Sequence, residues 1–137
     1  MRRLLALALL IASASSCSSD SSTSPTVESL AGTWNLSTVN GTSLPFILQT
    51  TNPKVELLDD QIIASAAGTF TETGNARFTE MSGSVTHVPF TDSGTWTLNG
   101  TAVTFHFNSD GTSGTGTLNG NSFTIGEVGF SSVYVKQ

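Results

Sequence analysis

Turn-forming dipeptides recur along this chain and constrain its fold more than any other feature. Asn-Gly occurs at 40–41, 99–100 and 119–120, and Asp-Gly occurs at 110–111. Each dipeptide lies between segments in which apolar and polar residues alternate, and tight hairpin turns need residues that accept a positive φ. The pattern therefore predicts antiparallel strands that follow one another through short turns.

A short internal repeat gives the order of these strands. The segment 94–100, Gly-Thr-Trp-Thr-Leu-Asn-Gly, is echoed at 114–120 as Gly-Thr-Gly-Thr-Leu-Asn-Gly. The interval equals two strands and two turns, which is typical of an up-and-down meander. Pro89 cannot donate to a sheet ladder and is predicted to break the fourth strand. The predicted strands are 32–39, 54–65, 68–81, 84–98, 101–107, 112–118, 121–126 and 129–136, with a long loop at 42–53.

The alternation also assigns the two faces of each strand. In 101–107, Val103 and Phe105 share one side, and Thr104 and His106 lie on the other. One dry face and one wet face are typical of antiparallel sheets. Eight such strands, connected in order, hide their edges when they close into a barrel. The sequence predicts an all-β, antiparallel, eight-stranded barrel, with a two-sheet β-sandwich as the alternative.

The N-terminus has the pattern of an export signal. Arg2 and Arg3 precede an apolar run at 4–12 and small residues up to Ser16. That run is too short to cross about 30 Å of hydrocarbon, so it predicts a cleaved signal rather than a membrane span. The predicted organisation is a signal at 1–16, a Ser-rich flexible tether at 17–29 and a folded domain at 30–137. The tether has too few large apolar residues to offset its ordering entropy.

Cys17 is the only cysteine, and it follows this signal. The run Ala-Ser-Ser-Cys at 14–17 resembles the lipobox of bacterial lipoproteins. That resemblance implies a diacylglycerol on the Cys17 thiol, attachment to a membrane and, with Ser18 next in the chain, an outer-membrane location in the cell envelope. The alternative is ordinary cleavage after Ala14, which would leave Cys17 as a free thiol in a soluble periplasmic or secreted protein. A single cysteine excludes an internal disulfide.

The charge of the mature chain excludes several classes of partner. After Cys17, only Lys54, Arg77 and Lys136 oppose ten acidic residues, a net charge of about −7. Phosphate backbones repel such a chain, and it has no basic stripe to follow one. We therefore expect no nucleic-acid partner and no electrostatic binding to anionic lipid headgroups.

The polar residues indicate neither a catalytic nor a metal site. His87 and His106 lie on different predicted strands, with no cysteine or carboxylate at metal-ligand spacing. The segment 108–111 resembles half of a calcium loop but lacks the following ligands, so it predicts a hairpin turn. Adjacent acids at Asp59 and Asp60 predict a bulge or a solvated turn. We expect a protein that is not an enzyme and needs no cofactor.

One segment carries a resemblance to a known family. Residues 30–36, Leu-Ala-Gly-Thr-Trp-Asn-Leu, followed by Val-Asn-Gly at 39–41 and Leu-Pro at 44–45, resemble the opening of small bacterial lipocalin-like lipoproteins. Gly32 and Trp34 match the Gly-x-Trp of the first lipocalin strand. The resemblance implies that Trp34 closes one end of the barrel and that Lys136 packs over its indole.

Two functions fit such a barrel, because eight strands leave a lumen that side chains can fill or that can hold one small ligand. One is binding of a small apolar ligand between the later strands, and the other is a filled barrel acting as a structural or protein-interaction module. Arg77 would pair a ligand carboxylate if it points inward, and would otherwise be an outer-face charge beside Glu80. The predicted ligand contacts are Arg77, Trp96, Phe105, Phe107 and Tyr134.

Overall fold

Antiparallel strands make up almost all of the described chain. A computed structural model describes residues 29–127 and 129–137, so Cys17, the predicted signal and nearly all of the tether lie outside the described residues. No helix in these two ranges is long and apolar enough to cross a bilayer. The strands are β1 (Gly32–Val39), β2 (Thr42–Ser43), β3 (Phe46–Gln49), β4 (Lys54–Ala64), β5 (Thr69–Thr79), β6 (Val85–Asn99), β7 (Ala102–Phe107), β8 (Ser113–Asn119), β9 (Ser122–Glu127) and β10 (Phe130–Lys136).

These strands close into one barrel. Their order in the sheet is β2-β1-β10-β9-β8-β7-β6-β5-β4-β3, and β1 pairs with β4 as well. The second pairing completes a ring of eight strands, β1 and β4 to β10, in which chain neighbours from β4 onward lie side by side. The predicted eight-stranded all-β barrel is confirmed. The sandwich alternative is excluded, because a sandwich would leave β1 and β4 as separate edges.

Alternating side chains fill the interior, as the sequence predicts. On β7, Val103 and Phe105 are buried, whereas His106 on the opposite face is exposed. Each fully buried side chain of this size contributes about 1.5–3 kcal/mol, and conformational entropy offsets most of the total. The core consists of Leu30, Trp34, Leu36, Val39, Ile62, Ala64, Phe70, Val103, Phe105, Leu118, Phe123, Ile125 and Tyr134.

A β-bulge in β4 reverses the faces of that strand. Its register against β5 shifts between Leu57 and Asp59, so that Leu57 pairs with Ala76 and Asp60 pairs with Gly74. One extra residue on one strand changes which parity points inward. The acid pair therefore marks a bulge, as predicted, and the bulge turns Asp60 toward the interior.

The predicted loop at 42–53 instead contains two short strands. β2 pairs with the end of β1, and β3 pairs with the first half of β4. The pairing between β1 and β4 stops at Asn35 and Gln61. Beyond that point β1 and β4 separate, and their backbone N–H and C=O groups need other partners. β2 supplies them for β1, and β3 supplies them for β4. The loop prediction was wrong because strands of two and four residues are too short to show a clear alternation of apolar and polar residues.

The predicted break at Pro89 is also wrong, because β6 runs without interruption from Val85 to Asn99. β7 pairs only with the part of β6 from Gly94 to Asn99. Pro89 therefore lies where β6 has a strand partner on one side alone, and a proline is tolerated at such an edge.

The Asn-Gly dipeptides mark turns in two different ways. Asn40 and Gly41 both have positive φ, at 50° and 75°, as a two-residue type I′ turn requires. At the other two sites the asparagine is the last residue of its strand. Gly100 and Gly120 then come first in the turn, with φ of 62° and 58°.

Candidate functional site

Trp34 fills the closed end of the barrel. Its side chain is fully buried, and the indole Nε1 donates a hydrogen bond of 2.7 Å to the carbonyl oxygen of Leu30. The ring meets Phe123 edge-on at a centroid distance of 4.9 Å, and the Lys136 Nζ lies 5.1 Å from the centroid of the indole. The resemblance implies a basic residue over this indole, and Lys136 lies there; the contacts with Leu30 and Phe123 are additional.

Gly32 leaves room for the Lys136 side chain. A Cβ at position 32 would lie 2.7 Å from the Lys136 Cε, and the backbone φ of +142° disfavours any residue with a Cβ. The glycine therefore lets Lys136 reach across β1 to the face of the indole, where a cation is attracted by the ring quadrupole.

Aromatic rings fill the lower half of the lumen, next to this closed end. Phe70 contacts Phe105 at 5.1 Å and Phe107 at 5.3 Å between centroids, and Phe105 continues to Phe123 at 5.5 Å. Trp96 packs against the same core, and its Nε1 donates to the Ser65 carbonyl oxygen at 3.1 Å. Three of the predicted ligand contacts, Trp96, Phe105 and Phe107, are thus part of the filled half of the barrel. The rings of Phe105 and Phe107 stack on each other, and Trp96 packs against the same core.

The upper half of the lumen is hollow. A cavity of about 380 Å³, which we call the upper cavity, lies between β1, β4, β5, β6 and β10. It reaches the surface at Leu48 and Phe130, which are 43% and 40% exposed. Its lining is mainly apolar and comprises Leu36, Val39, Leu48, Val55, Leu57, Asp60, Glu72, Ala76, Phe78, Phe90, Phe130, Ser132 and Tyr134. The space is on the side of the earlier strands, not between the later strands as predicted.

Tyr134 is the predicted contact that does line the upper cavity. Its ring stacks on Phe123 at 4.8 Å, and its hydroxyl donates a hydrogen bond of 2.5 Å to the Asp60 Oδ2. Asp60 is buried, and this burial raises the pKa of its carboxyl, against the opposing effect of the Tyr134 hydroxyl. A phenol and a buried acid thus lie together in the wall of the upper cavity.

The sequence prediction missed Asp60 and Glu72 as site residues. The sequence did contain a signal for Asp60. Alternate residues of a strand lie on the same face, so Asp60 is predicted to share the face of the apolar residues Ile62 and Ala64. The adjacent Asp59 favoured a solvated interpretation of both acids. In the structure Asp59 faces outward, and its carboxylate accepts hydrogen bonds from the Asn75 Nδ2 at 2.9 and 3.2 Å.

Arg77 does not reach the upper cavity. It lies on the outer face of β5 and pairs with Glu56, at 2.8 Å from Nη2 and 2.9 Å from Nε to the same carboxylate oxygen. Lys54 binds the second oxygen at 2.9 Å. The hydrogen bonds from Lys54 and Arg77 lower the pKa of Glu56. Arg77 is therefore an outer-face charge, with Glu56 rather than Glu80 as its partner.

A second hollow of about 550 Å³ lies beside the upper cavity, at the place where β1 and β4 separate. Asn35 and Gln61 mark the separation, with a hydrogen bond of 2.8 Å between their side-chain amides. The lining of this second hollow is more polar than that of the upper cavity, and the two spaces share Leu36, Asp60 and Phe90. Asp60 thus lies in the wall between the two spaces.

The remaining polar residues form local contacts. His106 Nδ1 lies 2.6 Å from the Ser113 Oγ on the neighbouring strand. Asp110 accepts hydrogen bonds from the amide and the hydroxyl of Thr112, which lower the pKa of its carboxyl and stabilise the predicted turn at 108–111. Among residues 29–127 and 129–137, no group of three or more histidine, cysteine or acidic side chains is arranged to hold a metal ion.

Comparisons with known proteins identify a family for this chain. A family model of the lipocalin-like domain matches residues 30–125. The chain is also similar to a solved lipocalin-like protein from Bacteroides uniformis, with 19% identity, 79% of this chain and 98% of that chain covered, and a TM-score of 0.42. No curated protein matches the chain. Because the family model spans most of the eight-stranded barrel, this chain belongs to the lipocalin-like domain family.

Proposed function

We propose that this protein binds a small apolar molecule in the upper cavity. One observation carries the proposal: the lower half of the barrel is filled by its own rings, whereas the upper half keeps an apolar space of about 380 Å³ that opens at the surface. Volumes of about 300–1,000 Å³ are typical of small-molecule sites. The lipocalin-like fold supports a binding role rather than a catalytic one.

The walls and the size of the cavity limit the ligand. Side chains such as Leu57, Phe78 and Phe90 offer apolar contact, and the polar atoms are confined to a small region around Asp60. Such a lining favours an apolar body with one polar group and disfavours sugars or phosphates, which need many hydrogen bonds. The volume lies at the lower end of the usual range, so the ligand is small.

A bulky substitution inside the cavity tests this proposal. Ala76 is buried in the lining, and Ala76→Phe would fill much of the space, whereas Val135→Phe adds the same ring at an exposed position outside the cavity. We expect N-phenylnaphthylamine, a neutral apolar probe, to bind saturably to the parent and to Val135→Phe, with loss of binding in Ala76→Phe. Equal binding by all three proteins would place the probe elsewhere. If no apolar probe saturates the parent, a filled barrel that serves as an interaction module becomes the better account.

We further propose that the protein is exported and tethered to the cell envelope through Cys17. The signal-like segment 1–16, the small residues before the only cysteine and the polar tether support this proposal. Acyl chains would contribute about 0.8 kcal/mol per buried methylene, so two or more chains hold a protein firmly on a membrane. The tether would then separate the barrel from the bilayer. The expected location is the outer membrane.

Moving the thiol tests the anchor. Cys17→Ser should abolish palmitate labelling and leave the protein unprocessed or soluble. The double variant Cys17→Ser/Ser21→Cys is a matched control, because it restores one thiol in the tether outside the lipobox-like position. We expect it to behave as Cys17→Ser does. Continued membrane fractionation of Cys17→Ser in processed form would show that another feature anchors the protein.

A further inference from the structure

The polar side chains of the upper cavity are two acids, a phenol and the hydroxyl of Ser132. Asp60 on β4, Glu72 on β5 and Tyr134 on β10 all line the cavity. Asp60 is 7% exposed and Tyr134 is 4% exposed, whereas Glu72 is only partly buried. The bulge in β4 brings Asp60 to this place, because an unbulged strand would keep the parity of Leu57 and turn residue 60 outward.

One oxygen of Asp60 lacks a donor. Oδ2 accepts from the Tyr134 hydroxyl at 2.5 Å, but the buried Oδ1 has no hydrogen-bond donor among the residues that the structure describes. The side chain of Glu72 faces the Asp60 carboxyl, and it can donate only when it carries a proton. A buried carboxylate without a full set of donors is costly, and burial raises the pKa of Asp60, which favours its protonated form in the empty barrel.

Among the described residues, no cation acts on the buried Asp60 carboxyl. Lys54 and Arg77 both pair with Glu56 on the outer face, and Lys136 lies over the Trp34 indole at the closed end. The other charged groups nearby are acids. Asp59 adjoins Asp60 on the outer face and raises its pKa further, and Asp92 on β6 lies opposite Glu72 in the sheet register. Asp92 accepts hydrogen bonds from Ser109 and from the amide of Ser93.

We propose that the ligand carries a protonated amine, which lies against the Asp60–Glu72 pair while its apolar body occupies the upper cavity. This inference rests on the proposed binding function and specifies the chemical class of the ligand. An ammonium group supplies a positive charge and several donors, one of which can reach the buried Asp60 Oδ1 that has no donor among the described residues. A carboxylate ligand such as a fatty acid is disfavoured, because it would add a third negative charge to an apolar cavity.

The raised pKa of Asp60 makes binding depend on pH in a defined direction. An ammonium group beside the Asp60 carboxyl favours its ionised form, so binding releases the proton of Asp60 to solvent. Affinity for an amine therefore rises with pH over the range in which Asp60 loses its proton, as long as the amine itself stays protonated. The neighbouring Asp59 extends this range upward by repelling negative charge.

Three ligands that share one apolar body test the proposal. Phenethylamine, phenethyl alcohol and hydrocinnamate differ only in a cationic, neutral or anionic end group. We expect calorimetric titration of the parent to show the amine binding about tenfold or more tightly than the alcohol, as a charge-assisted contact in apolar surroundings predicts, with the carboxylate weakest. Titrations of the amine in two buffers of different ionisation enthalpy should show proton release.

Two acid variants and a neighbouring control connect the preference to the pair. Glu72→Gln and Asp60→Asn should each remove the preference for the amine while keeping affinity for the alcohol, which also reports that the barrel is folded. Asp59→Asn removes one charge from the adjacent outer-face residue and should keep the preference. If the alcohol binds the parent as tightly as the amine does, or if both acid variants keep the preference, the inference is overturned while the binding function stands. If none of the three ligands binds the parent, the inference is overturned, and the proposed function fails with it only if N-phenylnaphthylamine does not bind either.

Discussion

Truncation of Trp34 should bring the barrel close to unfolding. The side chain is fully buried, and Trp34→Ala removes the hydrogen bond to Leu30, the edge contact with Phe123 and the site over which Lys136 lies. Large aromatic truncations in a core cost about 3–5 kcal/mol, of which the hydrogen bond is about 1 kcal/mol and the aromatic pair about 0.5–1.5 kcal/mol. For a domain whose total stability is about 5–15 kcal/mol, we expect a loss of about 4 kcal/mol.

Urea unfolding followed by far-UV circular dichroism measures this loss. With a denaturant slope of about 1–2 kcal/mol per molar, the unfolding midpoint of Trp34→Ala should fall by about 2–4 M. Trp34→Phe is the matched control, because it keeps a ring at the closed end but removes the indole donor to Leu30. We expect it to lose about 1–3 kcal/mol, the usual cost of leaving a buried polar group without its partner.

The two variants together separate packing from hydrogen bonding. A midpoint for Trp34→Ala that stays close to that of the parent would refute the reasoning, since the closed end would then not depend on the indole. Equal losses in Trp34→Ala and Trp34→Phe would mean that the Leu30 contact, and not the volume of the ring, dominates.

Three further perturbations have definite expected outcomes. Gly32→Val should lower the melting temperature by more than Lys136→Met does. The new Cβ would meet the Lys136 side chain, and the backbone φ at position 32 is unfavourable for valine. Calorimetric melting of both variants checks this. The lowered pKa of Glu56 means that its ion pairs stabilise the fold fully above pH 4.5 and less as the pH falls below it, so Glu56→Gln should melt below the parent at pH 7 with a difference that shrinks in acid. The pKa of Asp60 is raised instead, so its ionisation destabilises the fold as the pH rises above 3.8. Asp60→Asn should therefore be more stable than the parent at neutral pH, and a gain that persists unchanged at pH 4 would contradict the assignment.

An acid that costs stability at neutral pH is understandable in a binding site. Natural proteins keep unfavourable groups where function needs them, and a replacement that stabilises the fold then lowers the function. The pH dependence of stability and the proposed amine preference of the upper cavity are thus both expected to depend on one residue, Asp60. A variant that gains stability and keeps its amine preference would separate the two.

The strand and turn predictions depended only on the residues within each short segment. A turn that needs a positive φ restricts its own residues, and alternation restricts the faces of the strands beside it, so the segments around Gly41, Gly100 and Gly120 indicate an up-and-down meander without any tertiary information. The expectation for the closed end came instead from the family resemblance, which Gly32 and Trp34 carry on one strand, with Lys136 on the partner of that strand.

The position of the proposed binding site depended on features that no local pattern contains. The bulge at Leu58 turns Asp60 inward, and a shift of one residue reverses every side chain beyond it. The pairing of Arg77 with Glu56, which lies twenty-one residues away in the chain, follows from the register of β4 against β5. The volume of the upper cavity is the small difference between the volume that the strands enclose and the volume that their side chains fill. The sequence by itself determined the eight strands of the barrel and the turns between them, and its resemblance to a known family indicated the tryptophan that closes one end. Only the tertiary structure decided which half of the barrel is empty and which charges face it, because register and residual volume arise from packing between distant segments.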